Sequence, residues 1–219
     1  MTLPHELSAN IMRKQPTQKR AQLTIEAIFE ATSQIVDREG VSGLTTNKIA
    51  AKAGFSVGTL YQYFSSKEAI FRAMAQHGRE LVLRELESYL FSVECSQDPQ
   101  DISPHDFVRR YVNICIEGFA LGKNYRRAMN RLCWLLEQPD ETAASVRNMV
   151  ERLKLCLKYL NHPMLPVLDE TQMFILSRSL LGCLRSASLE RFSHMDSVEF
   201  ENQLVDLLMG QLVRSLESA

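Results

Sequence analysis

Between Thr45 and Phe64 the chain reads TTNKIAAKAGFSVGTLYQYF. The side chains in this stretch suit one kind of chemistry, hydrogen bonding to a polyanion with readable edges. The Thr59 hydroxyl and Gln62 amide can bond to base edges. Thr46, Tyr61 and Tyr63 can donate to phosphate oxygens, and Lys67 adds a cation just beyond. Gly58 and Thr59 are small enough to let a backbone approach closely. Thr45, Thr46, Ser56, Val57, Gly58, Thr59, Tyr61, Gln62, Tyr63 and Lys67 form the candidate contact set.

The elements that must position them follow from the same residues. Thr45 or Thr46 can cap a first helix by accepting from the free amides of its opening turn. Ile49, Ala50 and Ala53 then share one face at helical spacing. Gly54 suits the left-handed residue after a helix end. Ser56 caps a second helix that turns Val57, Leu60 and Phe64 inward. Small residues at the crossing (Ala50, Ala53, Gly54) let two short helices meet steeply, as a helix-turn-helix requires. In that motif the second helix enters the DNA major groove with its N-terminal residues at base edges. The bland alternative is a helical hairpin with a solvated polar face.

Thr45-Thr46, Ile49-Ala50, Ala53-Gly54-Phe55-Ser56, Gly58-Thr59-Leu60-Tyr61, Tyr63-Phe64 and Lys67-Glu68 together resemble the signature of the TetR family of bacterial transcriptional repressors, over about Arg20 to Phe71. Phe55 stands where that family often has Val, and Val57 and Gln62 fall at variable positions. The resemblance implies an all-α chain with a three-helix DNA-binding domain, followed by a helical domain for ligand binding and dimerisation. Its implied partners are a double-stranded DNA operator, a second copy of the chain and a small-molecule effector.

A first helix is expected over about Gln18–Glu39, with Ile25, Ile28, Phe29, Thr32, Ile35 and Val36 as its apolar stripe. Phe29, Ile49, Leu60 and Phe64 are the expected core of the three-helix domain. A long fourth helix opens at Ser66-Lys67-Glu68, capped by Ser65 or Ser66, and passes His77-Gly78, where Gly weakens it and offers a hinge. Further helices are expected over Pro104–Leu121, Tyr125–Glu137, Asp140–Asn161, Asp169–Phe192 and Ser197–Ser218, about nine in all. The expected domains are a flexible basic arm over 1–17, a helix-turn-helix domain over 18–66 and a ligand-binding and dimerisation domain over 67–219.

Of the 219 residues, 45% are hydrophobic and 23% charged, with only 9 Gly and 7 Pro, which favours a soluble helical protein. The net charge of −1 conceals an asymmetry. Met1 to Lys67 holds eight basic against five acidic residues, a net of +3, and the remainder 17 against 21, a net of −4. The positive end carries the motif, as phosphate contact requires. No apolar run approaches the roughly 20 residues of a membrane helix, and no apolar segment follows the N-terminal charges. A cytoplasmic protein without membrane contact is the expectation.

The last two helices are apolar on more than one face, through Met173, Phe174, Leu176, Leu180, Leu181, Leu184 and Leu189, then Phe200, Leu204, Leu207, Leu208, Leu212, Val213 and Leu216. A homodimer through a four-helix bundle would cover them. Tyr111, Cys115, Phe119, Trp134, Met149 and Leu153 are candidate lining for an apolar ligand pocket between the middle helices. Cys115, Cys133, Cys156 and Cys183 lie in apolar helical stretches and read as buried free thiols. Cys95, in a polar loop, and Cys133 are the candidates if the chain senses oxidants instead. No cysteine or histidine spacing suits a metal, no cofactor motif is present, and no catalytic pattern is legible, so the chain reads as a non-enzyme. A helical interaction module without sequence preference is the remaining alternative.

Overall fold

The computed structural model describes residues 19–95, 102–118, 130–132, 134–135 and 139–217. The expected arm over 1–17, Phe119 and Cys133 lie outside the described residues. The elements are α1 (Lys19–Glu39), a 3-10 turn (Val41–Gly43), α2 (Thr46–Ala53), α3 (Val57–Tyr63), α4 (Lys67–Glu94), α5 (Pro104–Ile116), α6 (Pro139–Leu160), α7 (Glu170–Glu190) and α8 (Val198–Glu217). Residues 130–132 and 134–135 are also helical, inside the helix expected over Tyr125–Glu137. No strand occurs among the described residues. Among the described residues the all-α expectation of about nine helices holds.

Local chemistry explains where the helices begin and end. Ser103 accepts from the Asp106 amide and Pro104 opens α5, where its missing N–H costs nothing. Asp169 and Gln172 form a reciprocal capping box on α7, with bonds of 2.8 and 2.9 Å. Arg191 closes α7 in the left-handed region at φ 57°. Ser66, rather than Ser65, caps α4 by accepting from the Ala69 amide at 3.2 Å.

The chain divides into two compact units between His77 and Gly78, with residues 130–135 in the first. The sequence reading set its domain boundary eleven residues earlier, at 66/67. The first turns of α4 supply Ala69, Ile70, Phe71, Ala73 and Met74 to the core of the first unit, so they cannot be assigned to the second. That core also holds Ile28, Phe29, Leu44, Ile49, Leu60 and Phe64, with Phe29 and Phe64 ring centroids 6.0 Å apart. α4 itself continues through Gly78 as one helix of 28 residues.

The second unit packs α5 along α8, with α7 against both and α6 against α7. Its core runs from Val82, Leu86 and Leu90 of α4 to Leu204, Val205, Leu208 and Leu212 of α8. Gly118, in a π-type turn after α5, lies so close to Val82 that a Cβ there would overlap the valine methyls. Among the described residues no helix is long and apolar enough to cross a membrane.

Candidate nucleic-acid interface

The turn between α2 and α3 is built by hydrogen bonds that the sequence foreshadows. Thr45 caps α2, its Oγ1 accepting from the Lys48 amide at 3.2 Å. α2 ends in a Schellman arrangement. The Gly54 amide donates to the Ala51 carbonyl at 3.2 Å and the Phe55 amide to the Ala50 carbonyl at 2.9 Å. Gly54 sits at φ 77°, ψ 24°, a conformation that costs a residue with a Cβ about 1 kcal/mol. Ser56 then caps α3, accepting from the Thr59 amide at 3.0 Å, and its hydroxyl lies 2.9 Å from that of Thr59. Three residues therefore separate two helices held by caps on both sides.

The candidate contact residues separate into buried supports and an outward face. Leu60 and Phe64 are fully buried. Val57 and Tyr63 are half-buried and pack against the same core. Tyr63 was expected to face outward; its ring instead belongs partly to the core. Gly58, Tyr61 and Gln62 are exposed, and Thr59 is half-exposed. Thr46 Oγ1 and Tyr61 Oη meet at 3.2 Å, so the start of α2 and the middle of α3 present one joined pair of hydroxyls. A Cβ at Gly58 would meet only Ser56 Oγ, at 3.7 Å, an ordinary contact. The fold therefore has no internal need for glycine there.

Charge around the face is partly committed. Lys48 is bound to Glu39 of α1 at 2.6 Å, with both groups about half-exposed. Lys67 opens α4, half-exposed. The Glu68 carboxyl next to it is held below its usual range by a bond to its own backbone amide and then by Ser66.

The second unit holds an apolar cavity of about 30 Å³, lined by Phe107, Val108, Tyr111, Leu153, Leu157, Leu165 and neighbours on α7 and α8. Of the pocket candidates named from sequence, Tyr111 and Leu153 line it. Cys115 and Met149 are buried in the surrounding core without lining it. Trp134 falls in the first unit and is not among the residues lining this cavity. Sequence reasoning missed Leu157 and the α7 and α8 wall; Leu157, one helical turn beyond Leu153, was the available signal. Burial pushes the Tyr111 phenol well above its ordinary range and the Cys115 thiol up to about 12. Burial, and then Glu94, push Cys156 up to about 11. Both thiols are therefore protonated and inert at neutral pH. Cys183, expected to be buried, is exposed on α7, as is Cys95 at the end of α4. The packing of α7 turns only one face inward, and Cys183 falls on the other.

The last two helices keep apolar surface outside their own core. Met173, Leu176, Leu180 and Leu184 of α7 are buried, whereas Phe174 and Ile175 are exposed. On α8, Leu204, Leu208 and Leu212 are buried and Leu207 is exposed.

A three-residue turn between two short capped helices, buttressed by α1, defines the first unit as a helix-turn-helix. Residues 28–74 match the family model for bacterial regulatory proteins of the tetR family. The family model covers this first unit alone, and within it the match includes α2, the turn and α3. The tetracycline repressor protein class D of Escherichia coli is 36% identical over 55 residues, 25% of each chain. The regulator BetI of Stenotrophomonas maltophilia is 32% identical over 78 residues, 35% of this chain and 38% of that one. The sequence matches thus span between a quarter and two fifths of these relatives' length. The fold likeness extends further. A TetR-family transcriptional regulator from Mesorhizobium loti is 17% identical, with a TM-score of 0.61 over 92% of this chain and 98% of that one. AibR, solved with isovaleryl coenzyme A and operator DNA, is 19% identical, with a TM-score of 0.53 over 85% and 96%.

Proposed function

We propose that the chain is a DNA-binding transcriptional regulator that acts as a homodimeric repressor. The observation that carries this is the outward face of α3, where Gly58, Thr59, Tyr61 and Gln62 stand over a buried Leu60–Phe64 base, with the Thr46–Tyr61 hydroxyl pair beside them. Thr59 and Gln62 read base edges. Thr46, Tyr61 and Lys67 bind phosphate, with Thr45 and Ser56 holding the helix ends. The exposed apolar side chains of α7 and α8 support dimerisation through those helices. A dimer sets two α3 helices against major grooves about 34 Å apart on an inverted repeat. A small, largely apolar effector in the cavity bounded by Tyr111 and Leu153 releases the operator, by favouring a second arrangement that binds DNA less well. The solved complex of AibR with a ligand and operator DNA supports a regulator of this kind.

Selection of bound duplexes from a random library, with purified protein at near-physiological salt, tests the reading. An enriched inverted repeat is the expected result. Enrichment of nothing, even after unfolding and refolding to strip any bound effector, overturns it. On the selected duplex, Thr59→Ala and Gln62→Ala should relax preference at particular base positions, whereas Tyr61→Ala should weaken binding to all sequences alike.

A further inference from the structure

The geometry points to the Glu94–Arg152 ion pair as a latch that ties the end of α4 to the state of the second unit's cavity. This rests on the regulator reading above and names a regulatory element within it. Arg152 of α6 grips Glu94, the last residue of α4, through two parallel bonds of 2.6 and 2.8 Å. The two side chains are only 26% and 21% exposed, so solvent screens the pair weakly. One turn further on, Cys156 is fully buried with its Sγ 3.9 Å from the Leu90 carbonyl of α4. Residues 152 and 156 thus form a stripe of α6 that faces α4. Leu153 and Leu157 form the next stripe, and both line the cavity. One rigid helix therefore has a latch on one stripe and a cavity wall on the other.

The cavity holds about 30 Å³, room for roughly one water, while ligand sites usually measure some 300–1,000 Å³. An effector of ordinary size must displace its walls. Displacement of Leu153 and Leu157 carries α6 with it, and Arg152 leaves Glu94. Besides the Cys156–Leu90 contact, further ties on this half of α4 run to α5 and the turn after it: the Tyr89 hydroxyl donates to the Phe107 carbonyl at 3.2 Å, exposed Arg110 reaches Glu85 at 3.4 Å, and Gly118 abuts Val82. The latch is the charged tie that answers to α6. The Arg109–Glu201 pair, of similar exposure at 33% and 22%, joins α5 to α8 and leaves α4 untouched. It is the matched structural control.

The experiment uses the full chain and the duplex selected above. Glu94→Gln and Arg152→Gln should each lower duplex affinity about fivefold or more, the lower end of ordinary coupling between sites. The charge-swapped pair Glu94→Arg with Arg152→Glu should return affinity to within about twofold of the parent. Arg109→Gln should leave it unchanged. In parallel, the neutral fluorophore N-phenyl-1-naphthylamine should bind both latch variants more tightly than the parent, because unlatching eases opening of the cavity. Equal loss of duplex affinity in Arg109→Gln, or unchanged duplex and probe binding in the latch variants, overturns the proposal. If the parent enriches no duplex but the latch variants still gain probe affinity, the regulator reading fails and the hold of the pair on the cavity stands.

Discussion

The two units solve opposite problems with the same kind of helix. In the first, short helices of 8 and 7 residues cannot be stable by themselves, so both N-termini carry side-chain caps, a left-handed glycine ends α2, and Ile49, Ala50, Leu60 and Phe64 are fully buried. In the second, helices of 21 and 20 residues are long enough to tolerate imperfect packing, and they leave a void inside and apolar side chains outside. One unit is built to hold a surface still and the other retains room to rearrange. A regulator needs both, since a reading head that shifted by itself would lose its register on DNA.

The largest effect that can break this comparison comes from the first core. Phe64 is fully buried against Phe29, and Phe64→Ala should cost about 3–5 kcal/mol. Chemical denaturation followed by circular dichroism should show an early transition for the first unit. A single unshifted transition would mean that the core is not as tight as its burial indicates.

A smaller contrast probes packing directly. Ala50 is fully buried in the core of the first unit, and Ala50→Val adds two methyls there. It should destabilise by about 1–3 kcal/mol. Val108 lines the cavity, and Val108→Leu adds one methylene into open space. It should be neutral or raise stability by about 0.5–1 kcal/mol. Equal losses in both variants would remove the distinction between a tight unit and a loose one.

The latch supplies a pH-dependent difference of about 1 kcal/mol, discounted for partial exposure. Hydrogen bonding to Arg152, ahead of the cost of desolvation, lowers the Glu94 pKa in the folded chain. A carboxylate with a lowered folded pKa adds stability that is complete above its unfolded pKa and is lost as pH falls through the folded value. Stability of the parent should therefore decline on acidification through the lower carboxylate range, and Glu94→Gln should flatten that part of the profile. A profile identical in parent and variant would show that the pair contributes nothing measurable.

These contrasts also explain what could be read beforehand. The first unit was legible because its rules are local. Thr45, Gly54 and Ser56 each act within three residues of their own position, and the spacing of Leu60 and Phe64 follows directly from one helical turn. That the first turns of α4 share the core of the first unit could not be read beforehand, because it is a tertiary fact with no local signature. In the second unit the apolar pattern shows that residues are buried but not which neighbours they meet. Trp134 was therefore grouped with residues of the other unit, Cys183 was read as buried, and the Glu94–Arg152 pair, 58 residues apart, went unseen.

The smallest expected change in stability gives the sharpest test of the first unit. Gly58 stands in the first turn of α3, and its surroundings leave ordinary room for a methyl group there. Alanine is the better helix former by roughly 0.5–1 kcal/mol, so Gly58→Ala should raise the denaturation midpoint slightly. If glycine serves the chain itself, nothing else should change. If it serves close approach to DNA, the same methyl group intrudes where a sugar-phosphate backbone must lie, and affinity for the selected duplex should fall about tenfold, the 1.4 kcal/mol of one lost close contact. A variant that is more stable and binds less well would separate folding from recognition at a single atom. A more stable variant with full affinity would show that α3 does not enter the groove by its first turn.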